Sequence, residues 1–190
     1  MKLLQYTLTG IFLLSVSAVQ AAVTLPNVLG SHMVLQQERP VPVWGWADPD
    51  EKVTVSFAGQ TQSATAGKDG KWSVKLSALK ASSEPRSLTI KGSNSITLED
   101  ILVGEVWICS GQSNMEWSIR QSANAKEEIE NANHPQIRLF NVPGHTTAPL
   151  PQEKGKGSWN VCQSSTAQGF SAVGYYFGRR LQKELKVPVG

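Results

Sequence analysis

The sequence is short of charge, of cysteine and of any run of one charge sign. Its 190 residues include 18 Lys or Arg, 15 Asp or Glu and two Cys, and the formal net charge is +3. The densest basic stretch, residues 154–156, is interrupted by Gly155. Such a mild and evenly spread charge argues against a nucleic-acid partner. Because 40% of the residues are hydrophobic, the composition is that of a globular protein with one domain or two small ones.

No segment is long enough to span a membrane. The uncharged apolar stretch at residues 8–19 has about a dozen residues, whereas a spanning helix needs about 20. Lys2 precedes this stretch, and Val19 and Ala21 are the small residues of a cleavage site. The pattern predicts a signal peptide at residues 1–21 and a periplasmic or extracellular mature chain. A buried N-terminal strand or an uncleaved anchor is the alternative.

Metal-binding spacings are missing as well. Neither CxxC nor HxxxH occurs, so nothing indicates a zinc site. In an exported chain the two cysteines allow one disulfide, between Cys109 and Cys162. The alternative is a free Cys109 that packs as a small hydrophobic residue inside an apolar run.

Residues 22–99 have the pattern of a β domain. Short alternating runs at residues 53–57, 72–76, 87–91 and 95–98 are separated by Gly, Asn and Asp turns. Residues 41–46 open the pattern, with Pro42 marking an edge position. Regularly spaced short strands predict an antiparallel β-sandwich.

Residues 100–190 have a different pattern, of alternating strands and helices. The almost continuous apolar run at residues 101–109 is typical of a strand covered on both faces. A helix is predicted at residues 122–132, a strand at 137–140, a loop at 142–157, a helix from Phe170 to Leu185 and the start of a third strand at 187–190. This order predicts a parallel sheet flanked by helices. Because two strands and two helices cannot complete such a sheet, we expect a truncated α/β domain.

Ser113 follows the predicted strand, at the position where α/β enzymes place a nucleophile. Gly111 would permit a tight turn there, and the backbone N–H groups after the strand could face an oxyanion. Met115 stands where the GxSxG motif needs its second glycine, so the α/β-hydrolase elbow is not matched. Ser113 and Asn114 could equally be helix N-caps.

The same segment resembles a known family. GQSNM at residues 111–115 resembles the first block of the SGNH hydrolases, and DILVGEVWICSGQSNME at residues 100–116 resembles the sialate O-acetylesterase family within them. Further stretches resemble that family in the same order: LPNVL at 25–29, MVLQ at 33–36, VPVWGWA at 41–47, RLFNV at 138–142, Trp159 with Cys162, and FSAVGYYFGR at 170–179.

The resemblance implies a flavodoxin-like SGNH domain after an N-terminal β-sandwich. It implies that Ser113 is the nucleophile, that Gly111, Gln112 and Asn114 shape the oxyanion site, and that no metal or organic cofactor takes part. The family's Asp-x-x-His block is missing, because the residues three positions before the histidines are Leu29, Asn131 and Val142. In the family that block lies beyond residue 190.

Other polar residues have local interpretations. His145 in the loop is the one local alternative for a base, His32 is expected in a turn or at the surface, and His134 at a helix exit. Glu105, if buried, needs a hydrogen-bonding or charged partner. It either has a structural role in the strand or assists catalysis indirectly, through a residue that contacts the serine. The remaining carboxylates near this region are expected to be solvated or to serve a helical turn: Glu116, Glu127, Glu128 and Glu130.

The sequence thus predicts an exported serine esterase that removes O-acetyl groups from sialic acids or related sugars through Ser113. A complementing C-terminal fragment would supply the missing Asp and His. An acetylxylan-type esterase is the alternative within this class. A non-catalytic carbohydrate-binding or interaction fragment is the alternative outside it, with Trp44, Trp46 and Trp72 as a stacking platform and not as core.

Overall fold

The computed structural model describes residues 22–142 and 152–190. The predicted signal peptide and His145 lie outside these residues. The strands are β1 (Val34–Gln36), β2 (Val41–Trp46), β3 (Lys52–Phe57), β4 (Gln60–Thr65), β5 (Lys71–Leu76), β6 (Ser82–Lys91), β7 (Ser95–Gly104), β8 (Asn133–Phe140) and β9 (Trp159–Gln163). The helices are α1 (Ala125–Glu130), α2 (Ser164–Ala167) and α3 (Ala172–Leu185), and 3₁₀ turns occupy Ser113–Met115 and Ile119–Gln121.

Seven strands form two sheets around one apolar core. The larger sheet has the order β1-β7-β6-β3-β4, and β2 pairs with β5 in a two-stranded antiparallel sheet. Strand β5 shows why these residues form a strand: Trp72, Val74 and Leu76 are buried in the core, and the residues between them are exposed. The larger sheet is mixed, because β1 is parallel to β7. A parallel pair needs a long connection, and here the other five strands provide it.

Strand β4 carries little sequence signal. It was not predicted, and it is an edge strand with no buried residue. Its hydroxyls pair across the strands instead, as Ser63 Oγ lies 2.9 Å from Thr54 Oγ1. The backbone ladder and such polar pairs hold an edge strand that has no apolar face.

Strand β7 continues from the larger sheet toward Ser113. The predicted domain division after residue 99 falls inside it, and that division remains a prediction. The predicted strand at residues 101–109 is wrong in its second half. After Gly104 only Glu105 forms a further bridge, a parallel one to Val189, and Ile108 is 93% exposed. Residues 101–104 are buried because β1 and β6 flank them, whereas residues 107–109 lack such cover among the described residues.

The second region contains the predicted helices and a short sheet. Helix α3 confirms the predicted helical periodicity, and α1 forms the central part of the helix predicted at residues 122–132. Val189 forms parallel bridges to both Glu105 and Ile137, as expected for the start of a third parallel strand. Strand β9 was not predicted, and it pairs with β8 in the antiparallel direction. Within residues 22–142 and 152–190, no helix combines the length and the apolar character needed to span a membrane.

A buried ion pair joins the two regions. Arg138 of β8 is 4% exposed. Its guanidinium donates two hydrogen bonds to the Asp100 carboxylate, at 2.6 and 3.0 Å, and others to the carbonyls of His32 and Pro135. His32 lies in a turn, as expected, and its Nδ1 is 2.7 Å from Asp100 Oδ2. The contact fixes the second region against the strand that leads to Ser113.

Candidate functional site

Ser113 begins a single exposed 3₁₀ turn. Its φ is 51°, in the left-handed region that residues with a side chain seldom adopt. Gly111 has no positive φ, and Ser113 itself takes the left-handed conformation in this turn. Strained backbone of this kind persists where surrounding contacts fix it, and it clusters at functional sites.

The N-cap interpretation of Ser113 and Asn114 is also wrong. The turn's N-cap is Gln112, without a side-chain cap, and α1 is preceded by Asn124. Both residues instead lie inside the turn, where Met115 N–H donates to the Gln112 carbonyl at 3.1 Å. The first N–H groups of such a turn have no partner within it. Among the described residues nothing accepts a hydrogen bond from the N–H of Ser113 or Asn114.

The N-terminus of helix α3 contacts this turn. Ser171, its N-cap, accepts a hydrogen bond from Gly174 N–H and donates to Met115 Sδ at 3.3 Å. Ala172 N–H donates to the Trp117 carbonyl at 2.8 Å. Residues 111–114 remain exposed. The turn is therefore anchored on one side and open to solvent on the other.

No base reaches the Ser113 hydroxyl in the described part of the chain. That hydroxyl makes no hydrogen bond there, and the two described histidines have other partners: His32 contacts Asp100, and His134 Nε2 lies 3.2 Å from the Tyr175 hydroxyl. The expectation for His134 is wrong, because it lies in strand β8 and not at a helix exit. Burial lowers its pKa, so it does not serve as a cation at a helix end.

Glu105 has a structural role. Its carboxylate accepts hydrogen bonds from Gln37 Nε2 at 2.7 Å and Gln36 Nε2 at 3.3 Å, and its backbone pairs with Pro188 and Gly190. These contacts supply the hydrogen bonds that a half-buried carboxylate requires. The same residue thereby links the end of β1 to the last residues of the chain.

Glu128 departs from the expected solvated helix face. It forms an ion pair with Arg179 of α3, and the Arg179 guanidinium also lies 5.4 Å from the Tyr175 ring centroid. Glu127 and Glu130 on the same helix are exposed, as expected. This ion pair connects α1 to α3, the helix that contacts the Ser113 turn.

The two cysteines are free thiols in this structure. Cys109 is exposed, and Cys162 of β9 is buried. Cys109 is therefore free, as in the second alternative, but it is exposed and lies outside the strand, so it does not pack as a small hydrophobic residue there. Burial raises the pKa of the Cys162 thiol to about 11, so it is unreactive.

Exposed apolar side chains lie beside the Ser113 segment. Trp107 and Phe177 pack edge to face with ring centroids 5.2 Å apart, and both are at least 40% exposed. Ile108, which follows Trp107 in the chain, and Val173 of α3 are also exposed, and we call these four side chains the apolar face. A large exposed apolar patch typically marks an interaction surface.

The three tryptophans proposed as a stacking platform separate into two groups. Trp72 is 3% exposed and belongs to the core, so the platform interpretation is wrong for this residue. Trp44 and Trp46 alternate with buried Val43 and Gly45, so they lie on the opposite face of the two-stranded sheet.

Comparison with known proteins gives consistent relatives. No protein-family model matches the chain. It is 30% identical to the sialate O-acetylesterase of Mus musculus over 95% of its own length and 38% of that protein's. It is also 30% identical to the Homo sapiens sialate O-acetylesterase over 86% of this chain and 35% of that one. The chain thus spans a little over a third of the length of these relatives.

A solved structure agrees with these sequence matches. The crystal structure of a novel carbohydrate acetylesterase from Xanthomonas citri superposes with a TM-score of 0.85 and 37% sequence identity. The match covers 89% of this chain and 39% of that one. The mixed β-sheet fold described above is therefore close to that of a carbohydrate acetylesterase.

Proposed function

Because the chain belongs to the sialate O-acetylesterase family, a family of carboxylic-ester hydrolases, we propose that it carries the nucleophile of a sugar acetylesterase. The observation that supports this most is the Ser113 turn. An exposed serine in a left-handed conformation has a hydroxyl without a partner and two neighbouring N–H groups that nothing else in the described chain engages. A hydroxyl beside free backbone donors is the arrangement that acyl transfer requires.

The proposed reaction is acyl transfer in two steps. Ser113 Oγ attacks the acetyl carbonyl carbon, and a histidine base takes the hydroxyl proton. The N–H groups of Ser113 and Asn114 stabilise the oxyanion, and the C–O bond breaks as the sugar oxygen receives the proton. Water then attacks the acetyl-enzyme, which releases acetate and restores the Ser113 hydroxyl. The roles of Gly111 and Gln112 are to shape the loop that presents this serine.

The base must come from outside the described residues, since His32 and His134 are held elsewhere. We propose that a C-terminal fragment with the Asp-x-x-His block covers the apolar face. Ile108, 93% exposed, and Phe177, 40% exposed, would be buried by such a partner. Burying an apolar side chain of this size contributes about 1.5–3 kcal/mol, so the face offers a substantial driving force for association.

The finer assignments follow from the family. We propose that the two sheets around the common core form a β-sandwich, and that residues 100–190 belong to an SGNH-type domain. The favoured substrates are O-acetylated sialic acids or related sugars, with acetylated xylan as the alternative. An exported location agrees with the signal-peptide pattern of residues 1–21.

Covalent labelling tests the assignment of the nucleophile. The chain is incubated with a fluorophosphonate, alone and together with the part of the Xanthomonas citri acetylesterase that lies outside the match. We expect labelling of Ser113 to rise when the second polypeptide is present, because that polypeptide supplies the base. Acetate release from acetylated sialic acid and from acetylated xylan is measured in the same mixtures and identifies the sugar.

Two alanine variants complete the experiment. Ser113→Ala abolishes labelling and acetate release, whereas Ser110→Ala, three residues earlier in the same exposed segment, retains both. Labelling that persists in Ser113→Ala would contradict the assignment. An Ile108→Lys variant that gains activity as readily as the original chain would contradict the proposed role of the apolar face.

A further inference from the structure

We propose that the outer face of the β2–β5 sheet binds a sugar chain at a site separate from Ser113. This inference rests on the proposed function in one respect, namely that the enzyme's substrate is itself a sugar. The site is a cleft of about 380 Å³ lined by Trp44, Trp46, Lys71, Ser73 and Glu153, together with Gly45 and Trp72 of the same two strands. None of these residues belongs to the Ser113 turn or to the apolar face.

The strand register places two aromatic rings side by side. Trp44 lies opposite Ser73, and Trp46 lies opposite Lys71. Residues two apart on one strand share a face and are separated by about 6.7 Å, so the two indoles form a continuous apolar strip. Both are partly exposed. Flat aromatic surfaces of this kind stack against the C–H faces of pyranose rings.

Polar groups surround this strip. Lys71 Nζ forms an ion pair with Glu153, and the hydrogen bond that the lysine donates to this carboxylate raises the pKa of the lysine. The Lys154 ammonium lies 5.5 Å from the Trp46 ring centroid. The Ser73 hydroxyl has no hydrogen-bond partner among residues 22–142 and 152–190. Donors and acceptors at the rim of an aromatic cleft are suited to the hydroxyl groups of a sugar.

Size and charge favour a sugar over other ligands. A volume of about 380 Å³ lies within the range of about 300–1,000 Å³ that is usual for small-ligand sites. Lys71, Glu153 and Lys154 together carry a formal charge of +1, which is too little for strong binding of the densely charged phosphate backbone of a nucleic acid. Val43 and Trp72 lie in the core, and Trp44 also packs partly against it, whereas Trp46 does not belong to that core cluster.

Tryptophan NMR tests the proposal on the full chain. The six indole N–H groups are labelled with ¹⁵N, and the protein is titrated separately with soluble xylan and with polysialic acid. We expect one of these sugars to shift the indole signals of Trp44 and Trp46. The signal of Trp159, whose Nε1 donates to the Val28 carbonyl at 2.8 Å, should stay in place. If neither sugar shifts the two signals, the proposal is overturned.

Matched variants separate this site from the esterase site. Trp46→Ala should weaken binding at least about tenfold, because aromatic anchors dominate binding energies. Trp117→Ala, at a tryptophan that is 51% exposed beside the Ser113 turn, should leave it unchanged. Binding that survives in Ser113→Ala supports a separate site even if the labelling experiment fails. If sugar binding is lost in Trp117→Ala or Ser113→Ala and retained in Trp46→Ala, the proposal of a separate sugar site is overturned.

Discussion

The ion pair between Arg138 and Asp100 leads to a quantitative prediction about the junction of the two regions. In Asp100→Asn the side chain keeps its size and one acceptor oxygen but loses its charge. Asn also tolerates the left-handed φ of 57° that Asp100 adopts. The substitution therefore perturbs the electrostatics of the contact and leaves the backbone unstrained.

The magnitude follows from burial. Arg138 is 4% exposed, so its cation depends on protein groups for the solvation that water would give. Breaking a buried pair by removing one partner costs about 3–5 kcal/mol. Because the Asp100 side chain is 27% exposed and water can reach it, we expect a loss near the lower value, about 3 kcal/mol. For a chain of this size that lowers the Tm by about 6–12 °C.

Urea unfolding followed by far-UV circular dichroism measures this loss. Asp50→Asn is the matched control: Asp50 is exposed, has a φ of 64° and makes no side-chain hydrogen bond within the described residues. It should change the free energy of unfolding by less than about 0.5 kcal/mol. If Asp100→Asn is as mild as Asp50→Asn, the buried arginine does not need its carboxylate, and the reasoning is refuted.

The same pair has a defined pH dependence. Hydrogen bonds from Arg138 and then His32 lower the pKa of the Asp100 carboxyl, against an opposing effect of burial. Since the pKa is lower in the folded state, this stabilisation is present above the unfolded pKa of about 3.9 and is lost as the pH falls through the lowered folded pKa. The difference in stability between the original chain and Asp100→Asn should therefore narrow below about pH 4.

The remaining predictions concern single side chains. Without reductant, a thiol reagent at pH 8 should react with Cys109 in the folded chain and with Cys162 only after unfolding; no reactive thiol in denaturant would indicate the disulfide. Burial lowers the pKa of His134, so the stability that the neutral imidazole contributes is lost as the pH falls below about 6.5, and His134→Gln should flatten the pH dependence of stability below that pH. Ser113→Ala should alter the free energy of unfolding by less than about 0.5 kcal/mol, because the hydroxyl has no partner among the described residues; a larger loss would point to a structural serine.

The sequence predicted elements whose faces differ in polarity. Apolar and polar residues alternate along strand β5, and apolar residues recur at helical spacing along α3. The sequence therefore predicted that one face of each element is buried. It did not predict β4 or β9. Strand β4 has few buried side chains, and β9 is a short strand whose partner, β8, lies at least 19 residues earlier in the chain. Such strands form because a neighbouring strand provides backbone hydrogen-bond partners. The local pattern of apolar residues does not predict these partners.

For the candidate site, too, some features were predictable from the sequence and others were not. The resemblance around residues 100–116 was sufficient to single out Ser113, because a motif records residue identity and order. The positive φ of Ser113, the free N–H groups of its turn and the support from Ser171 depend on how residue 113 sits over α3. None of these can be derived from the motif alone.

Local chemistry was thus determined by the sequence itself: the apolar periodicities, the nucleophile motif and the lack of an Asp-x-x-His block. Only the tertiary structure decided which residues from distant positions meet. It placed Arg138 on Asp100, separated Trp72 from Trp44 and Trp46, and left the apolar face uncovered among the described residues. The physical reason is that burial and ion pairing depend on distances in space, and contacts between residues 38 or more positions apart leave no local pattern.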